Sequence, residues 1–144
     1  RNTRRHIVIA LQKEALMKNI MIAAVTSLVL FAPTLSVADT VALKGTFQGA
    51  SKHITTGGIS IVKTADGGAV VILDSDFSLD GAPDPRVGFG KDGTYVDATD
   101  LGALTSNTGT QVYIVPASVN VDDFNEVYIW CRKFGVPLGF ATLS

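Results

Sequence analysis

Residues 127–143, "VYIWCRKFGVPLGFATL", decide the fold that we expect for this chain. The stretch begins and ends in runs of aliphatic and aromatic residues, which favour β-strands. Between the runs lie Gly135 and Pro137, and glycine and proline are typical of turns. Two short strands are therefore predicted at this end of the chain.

The same strand pattern recurs upstream. Five further segments have this composition: "VALKGTFQ" at 41–48, "GISIVKT" at 58–64, "AVVILD" at 69–74, "RVGFG" at 86–90 and "QVYIV" at 111–115. Asp66-Gly67-Gly68 and "KDGT" at 91–94 are hairpin signals, because Gly and Asp tolerate the positive φ of tight turns. We expect an all-β fold, a single antiparallel β-sandwich or barrel-like domain of about seven to eight short strands.

One segment breaks the strand pattern. In "PASVNVDDFNE", residues 116–126, Pro116 lacks the amide hydrogen that a continuing strand requires. Asn120 and Asp122 both have side chains suited to a helix N-cap. A single helical turn is therefore predicted here.

Residues 17–38, "MKNIMIAAVTSLVLFAPTLSVA", have the three parts of a secretory signal peptide. A short positive start at Lys18 precedes an apolar run, and Ser36-Val37-Ala38 is a small-x-small cleavage site. A membrane span needs about 20 continuous apolar residues, and polar residues and Pro33 interrupt this run. We expect cleavage before Asp39, export to the periplasm or the extracellular space, and no stable membrane anchor afterwards.

Residues 1–16, "RNTRRHIVIALQKEAL", fit neither a signal peptide nor a domain. We interpret them as translated upstream sequence, with a basic amphipathic helix as the alternative. The mature chain, residues 39–144, is then one domain with seven basic and twelve acidic residues and a net charge of −5. Because an acidic domain without a basic patch does not attract phosphate backbones, a nucleic-acid partner is not expected.

Cys131 is the single cysteine of the chain. It has no internal disulfide partner, which leaves a metal or haem ligand, a reactive thiol, an intermolecular disulfide or an inert core residue. Strand alternation places Cys131 on the same face as Val127 and Ile129, and Trp130 on the opposite face. Two aliphatic neighbours predict burial and low reactivity of the thiol.

His53 is the one histidine of the predicted mature chain. Together with Cys131 it would supply ligands suited to copper, iron or zinc. Two ligands do not complete such a site, so a third would come from a carboxylate or a partner. A solvated turn residue is the other interpretation of His53, and proximity to the thiol alone would also change its reactivity.

The acidic run "DSDFSLDGAPD", residues 74–84, contains the candidate hard-cation ligands Asp76, Asp80 and Asp84. The spacing imitates the start of a calcium-binding EF-hand loop, but its twelfth position is Val87 rather than Glu. Calcium is thus one prediction. The alternative is a strand that ends in an acidic turn, with its apolar residues packed inward.

The sequence has few features of an enzyme. It contains no nucleophile elbow, zinc-protease motif or phosphate-binding glycine loop. Aromatic residues concentrate towards the C-terminal end, and we expect them to pack in the core or between sheets: Tyr113, Tyr128, Trp130, Phe134 and Phe140. A redox carrier or a binding module is favoured over a turnover enzyme.

Four segments together resemble the DM13 domain family: "GTFQGASKHITTGGISIV", "VVILDSDFSLDGAPDPRVGF", "TGTQVYIVP" and the terminal "VYIWCRKFGVPLGFATL". The resemblance runs from about Gly45 to Leu143 and implies an electron-transfer module with Cys131 as its redox residue. If a redox centre is present, Trp130 beside it could support electron hopping, and a bound haem or copper would use Cys131 and His53 as ligands. The expected partner is a redox or envelope protein.

A different class of function stays open at this point. A non-catalytic extracytoplasmic binding domain, with Cys131 as a buried core residue, accounts for the same strand pattern. The two interpretations differ in what the thiol does, not in the fold.

Overall fold

The computed structural model describes residues 38–144. The predicted upstream extension and all but the last residue of the predicted signal peptide lie outside these residues. The strands are β1 (Thr40–Gly49), β2 (Thr55–Thr56), β3 (Gly58–Lys63), β4 (Ala69–Leu73), β5 (Ser78–Leu79), β6 (Pro85–Lys91), β7 (Thr94–Tyr95), β8 (Gly102–Ala103), β9 (Gln111–Val115), β10 (Glu126–Cys131) and β11 (Val136–Thr142). Two 3-10 helices cover Asp97–Thr99 and Val121–Asp123. No helix within this part of the chain is long and apolar enough to cross a membrane.

Within residues 38–144 all the strand pairs are antiparallel. Nine strands form one large sheet, and β2 and β5 form a small sheet of their own. The large sheet has the order β7-β6-β10-β11-β1-β3-β4-β9, with β8 also paired to β6. It curls into a half-barrel. The all-β, barrel-like prediction is confirmed, and the seven predicted strand segments correspond to the seven strands longer than two residues.

The C-terminal stretch lies at the centre of this sheet. β10 pairs with β6 on one side and with β11 on the other. β11 then pairs with β1, which leads through β3 and β4 to β9. Residues 127–143 therefore join the two halves of the sheet, and the register of β10 fixes which side chains meet on each face.

The predicted turns are present. Gly67, with φ of 85°, lies in the β3–β4 turn, where its amide donates to the Thr64 carbonyl at 3.0 Å. Asp92 and Gly93 have φ of 51° and 84° between β6 and β7. Positive φ at both central residues matches the right-handed twist of a hairpin, so Asp-Gly is suited to this position.

The predicted helical turn is a 3-10 turn over Val121–Asp123. The Asn120 side chain accepts from the Asp122 amide at 3.2 Å and is the N-cap. Asn120, and not Asp122, therefore has the capping role that the sequence left open between them.

The core fills the inner face of the curled sheet. Phe77 and Leu79 pack inward with exposures of 1% and 3%. This agrees with the interpretation of residues 74–84 as a strand that ends in an acidic turn. The other 3-10 helix fixes β6, because the Thr99 hydroxyl accepts from the Phe89 amide at 2.8 Å and donates to the Val96 carbonyl at 2.7 Å. This anchors the strand that lies beside β10.

Candidate functional site

Cys131 lies at the end of β10 with its thiol in the core. Its side chain is free and 1% exposed, and it shares the inner face with Val127 and Ile129, both at 0%. In register it is opposite Pro85 of β6 and Val136 of β11. The predicted burial is confirmed, and a bulky reagent reaches the sulfur only if this end of the sheet opens.

His53 lies in the loop between β1 and β2 and faces a carboxylate. Its Nδ1 is 2.8 Å from Oδ1 of Asp80, and Oδ2 of Asp80 accepts from the Ile54 amide at 3.1 Å. The His53 hydrogen bond, followed by the Ile54 amide, lowers the pKa of Asp80. Among the described residues no hydrogen bond joins His53 to Cys131.

The three candidate aspartates serve three different partners. Asp76 accepts from the Gly58 amide at 2.9 Å, Asp80 pairs with His53, and Asp84 accepts from Nε of Arg132 at 2.8 Å. Over residues 38–144 no group of three or more His, Cys, Asp or Glu side chains is placed to hold a metal ion. A copper or calcium ion held by three such side chains therefore has no site among the described residues, and a further ligand would have to come from a partner.

Asp84 and Arg132 close the end of the sheet beside Cys131. The Arg132 amide also donates to the Asp84 carbonyl at 3.1 Å, so side chain and main chain hold the same pair together. The turn that follows is fixed by Gly135, whose amide donates to the Cys131 carbonyl at 2.8 Å with φ of 63°. We call the two hydrogen bonds between Asp84 and Arg132 the Asp84–Arg132 clamp.

The opposite face of β10 carries a line of aromatic rings. Tyr95 stacks on Trp130 with centroids 4.6 Å apart and an interplanar angle of 11°. Tyr95 also meets Tyr128 edge-on at 5.8 Å, and Tyr128 stacks on Phe140 at 5.7 Å. These distances fall within the range of favourable aromatic pairs. We call these four residues, from β7, β10 and β11, the aromatic row.

Two glycines of β6 make room for the aromatic row. A Cβ at Gly88 would lie 2.8 Å from the Tyr95 ring, and one at Gly90 would collide with the Tyr128 ring. Gly88 is opposite Tyr128 in register, so the Tyr95 ring crosses β6 above Gly88 to reach the side chains of β10. Only a strand without side chains at these positions permits that crossing.

A buried carboxylate lies beside Tyr128 in the aromatic row. Oε2 of Glu126 is 3.3 Å from the Tyr128 hydroxyl and accepts from the Gly93 amide at 2.9 Å. Glu126 is 8% exposed. Burial, followed by the charge of Glu126, raises the pKa of Tyr128. The phenol therefore keeps its proton and presents it to the carboxylate.

Tyr95 also keeps its proton. Burial is the main cause that raises its pKa to about 12, and the negative charges of Asp100 and Asp97 add to it. Arg86 opposes them in part, and its Nε donates to Asp100 at 2.9 Å. The aromatic row is thus uncharged at neutral pH and lies beside an ion pair.

The prediction that the C-terminal aromatics pack in the core or between sheets is correct for Tyr113, which is 7% exposed and belongs to the core. It is wrong for Phe134, which is 65% exposed, and for Trp130 and Phe140, which are partly exposed on the outer face. Tyr128 is buried at 4%, but against the other rings of the aromatic row. Because side chains alternate along β10, Trp130 faces outward where the adjacent Cys131 faces inward.

Sequence reasoning missed Tyr95 and Glu126. The signals were present: "RVGFG" has glycines at alternate positions of one face, and the "KDGT" turn returns the chain directly at Tyr95. A strand face of glycines beside a hairpin that ends in an aromatic residue indicates a ring lying over backbone.

A comparison with protein families connects these two faces to a known family. The family model for "Electron transfer DM13" matches residues 46–143. The chain belongs to the DM13 family. The match covers Cys131, His53 and the whole aromatic row of this DM13 domain. No curated protein and no solved structure matches the chain.

Adding a methyl group at Gly88 tests whether glycine is required there because the Tyr95 ring lies over it. Gly88→Ala should lower the free energy of unfolding by about 1–3 kcal/mol through overpacking, and the Trp130 fluorescence should change as the stacked ring moves. In a Tyr95→Ala background the same substitution should cost less, since neighbouring groups are coupled. Equal costs in the two backgrounds, measured by urea unfolding, would contradict this account of Gly88.

Tyr95 should make stability sensitive to strongly alkaline pH. Its phenol has a pKa of about 12 in the folded domain and the ordinary 10.0 in the unfolded chain. Between these pH values the unfolded chain releases the proton and the folded domain keeps it, so the free energy of unfolding falls as pH rises. Urea unfolding should show a smaller fall in Tyr95→Phe; the same fall in both proteins would exclude Tyr95 as its source.

Proposed function

We propose that this DM13 domain is an exported redox module in which Cys131 is the redox-active residue. The observation that carries the proposal is the family match, because it spans the whole sheet and this family is described by electron transfer. Both methionines of the chain precede residue 38, so Cys131 supplies the sole sulfur atom of the described domain. A redox reaction at sulfur within residues 38–144 therefore involves this thiol.

The proposed chemistry requires controlled access to the sulfur. A hydroperoxide that reaches the thiolate transfers one oxygen atom to it: an S–O bond forms, the O–O bond breaks, sulfur is oxidised and the peroxide is reduced to an alcohol or water. The Asp84–Arg132 clamp closes the end of the sheet where the thiol lies. Opening of this clamp, by thermal motion or by a docked redox or envelope protein, would set the rate.

Cys131 oxidation in the native protein is the test of this proposal. Treatment with a hydroperoxide or with oxidised glutathione should add one oxygen atom or one glutathione to Cys131 without unfolding, and dithiothreitol should remove it. Arg132→Ala should speed the reaction because it removes one half of the clamp. Lys133→Ala, at the next exposed position, is the matched control and should not. Mass spectrometry and circular dichroism report modification and folding.

The second candidate function is a binding module in which Cys131 is a core residue. The 1% exposure of the thiol favours it. Under this alternative the thiol reacts only in denaturant, and Arg132→Ala leaves the native reaction rate unchanged. Cys131→Ala then costs about 1–2 kcal/mol of stability through lost burial and leaves partner binding intact.

We also propose that the domain works outside the cytoplasm, in the periplasm or the extracellular space. The support is the sequence of residues 17–38, with its positive start, apolar run and small-x-small site. Protein expressed from the complete gene should be recovered from an extracytoplasmic fraction with Asp39 as its first residue. A cytoplasmic product that retains residues 17–38 would contradict export, and N-terminal sequencing with mass spectrometry decides between the two.

A further inference from the structure

The aromatic row contains the two side-chain types that release a single electron to strong oxidants, tyrosine and tryptophan. Its rings touch in sequence, since Trp130 stacks on Tyr95 at 4.6 Å and Tyr95 meets Tyr128 at 5.8 Å. Trp130 and Tyr95 are partly exposed, whereas Tyr128 is 4% exposed. The row therefore leads from a ring near solvent to a ring inside the protein.

The two tyrosines differ in what their hydroxyls contact. A tyrosine that loses an electron must also lose its phenolic proton, because the phenol cation radical is a very strong acid. The Tyr128 hydroxyl has a proton acceptor in Oε2 of Glu126, 3.3 Å away, which is close to general-base distance. Among the described residues, Tyr95 has no hydrogen bond to a carboxylate. Oxidation is thus favoured at Tyr128 and not at Tyr95.

We propose that the aromatic row is a one-electron relay in which Trp130 gives the first electron, Tyr95 bridges, and Tyr128 with Glu126 is where the radical rests. This inference rests on the proposed redox function and adds to it a second redox group on the other face of β10. The oxidant is a strong one-electron acceptor of the high-valent metal class, such as the iron-oxo centre of a partner. No metal is needed within the domain itself.

Electrons and protons balance if the relay proceeds in two steps. First, one electron leaves Trp130, the oxidant is reduced by one electron, and Trp130 becomes a cation radical. Next, one electron passes from Tyr128 through the Tyr95 contact to Trp130, and the phenolic proton of Tyr128 moves to Oε2 of Glu126. The products are neutral Trp130, a neutral Tyr128 radical and a protonated Glu126. One electron from a reductant, together with the proton returned by Glu126, then restores the Tyr128 phenol and the Glu126 carboxylate.

The surroundings of Tyr128 protect such a radical. Phe140, which is not oxidised under these conditions, stacks on one side at 5.7 Å, and Tyr95 covers another at 5.8 Å. The Gly93 amide holds Oε2 of Glu126 at 2.9 Å, so the proton acceptor is already in place when the proton leaves Tyr128. Rigid hydrogen-bonded groups of this kind limit the reorganisation that a reaction requires.

Flash oxidation of the purified protein tests the relay. A photogenerated ruthenium(III) polypyridyl complex serves as the one-electron oxidant, and freeze-trapped samples are examined by electron paramagnetic resonance and transient absorption. The native protein should form a neutral tyrosyl radical as the tryptophan radical decays. Tyr128→Phe keeps the ring and should lose the tyrosyl signal, leaving a longer-lived tryptophan radical.

Two further variants separate the relay from a merely structural role. Tyr95→Phe should slow the decay of the tryptophan radical, and Glu126→Gln should reduce both the tyrosyl yield and the solvent deuterium isotope effect on its formation. Tyr113→Phe is the matched control: Tyr113 is the third tyrosine, its hydroxyl donates to Gln111 at 2.9 Å in the core, and the signal should be unchanged. Circular dichroism confirms that each variant folds.

The outcomes that overturn the relay differ from those that overturn the thiol proposal. A tyrosyl signal that survives in Tyr128→Phe, or one that is lost in Tyr113→Phe, places the radical elsewhere. Loss of all Cys131 oxidation in the native protein, with the Tyr128 radical intact, overturns the thiol chemistry and leaves the relay. Cys131→Ser, which removes the thiol but not the rings, should still form the Tyr128 radical.

Discussion

The register of β10 between β6 and β11 is the constraint on which both faces of this domain depend. Six consecutive residue pairs join β10 to β6, from Glu126 opposite Gly90 to Cys131 opposite Pro85. Because side chains alternate along a strand, this one register sets the thiol among core aliphatics and the tryptophan beside it among outward rings. A shift by one residue would exchange the two faces.

The two faces are stabilised by different forces. On the inner face, aliphatic side chains at 0% exposure gain from removal from water, and Cys131 takes part as a small apolar group. On the outer face, ring stacking and the Glu126 hydrogen bond act across strands that the bare backbone of β6 brings close. Disturbance of one face therefore need not disturb the other, since the backbone of β10 separates them.

The sequence predicts the features that depend on local pattern. It does not predict the contacts that depend on which distant segments become neighbours in the sheet. Strand alternation was enough to place Cys131 inward, because that pattern is local. The contact of His53 with Asp80 joins residues 27 positions apart, and the crossing of Tyr95 over Gly88 depends on which strands are neighbours. Neither is a property of a short segment. The outward position of Phe140 likewise depends on strand neighbours, because its ring stacks on Tyr128 of the next strand, and the expectation of core or inter-sheet packing is wrong there.

A position without a side chain usually accepts many substitutions, but Gly88 and Gly90 of β6 do not. Position 88 carries no side chain, yet any larger residue there would collide with the Tyr95 ring, which belongs to another strand. In a library of random substitutions, these two glycine positions on the outer face of β6 should tolerate change as poorly as the core positions do.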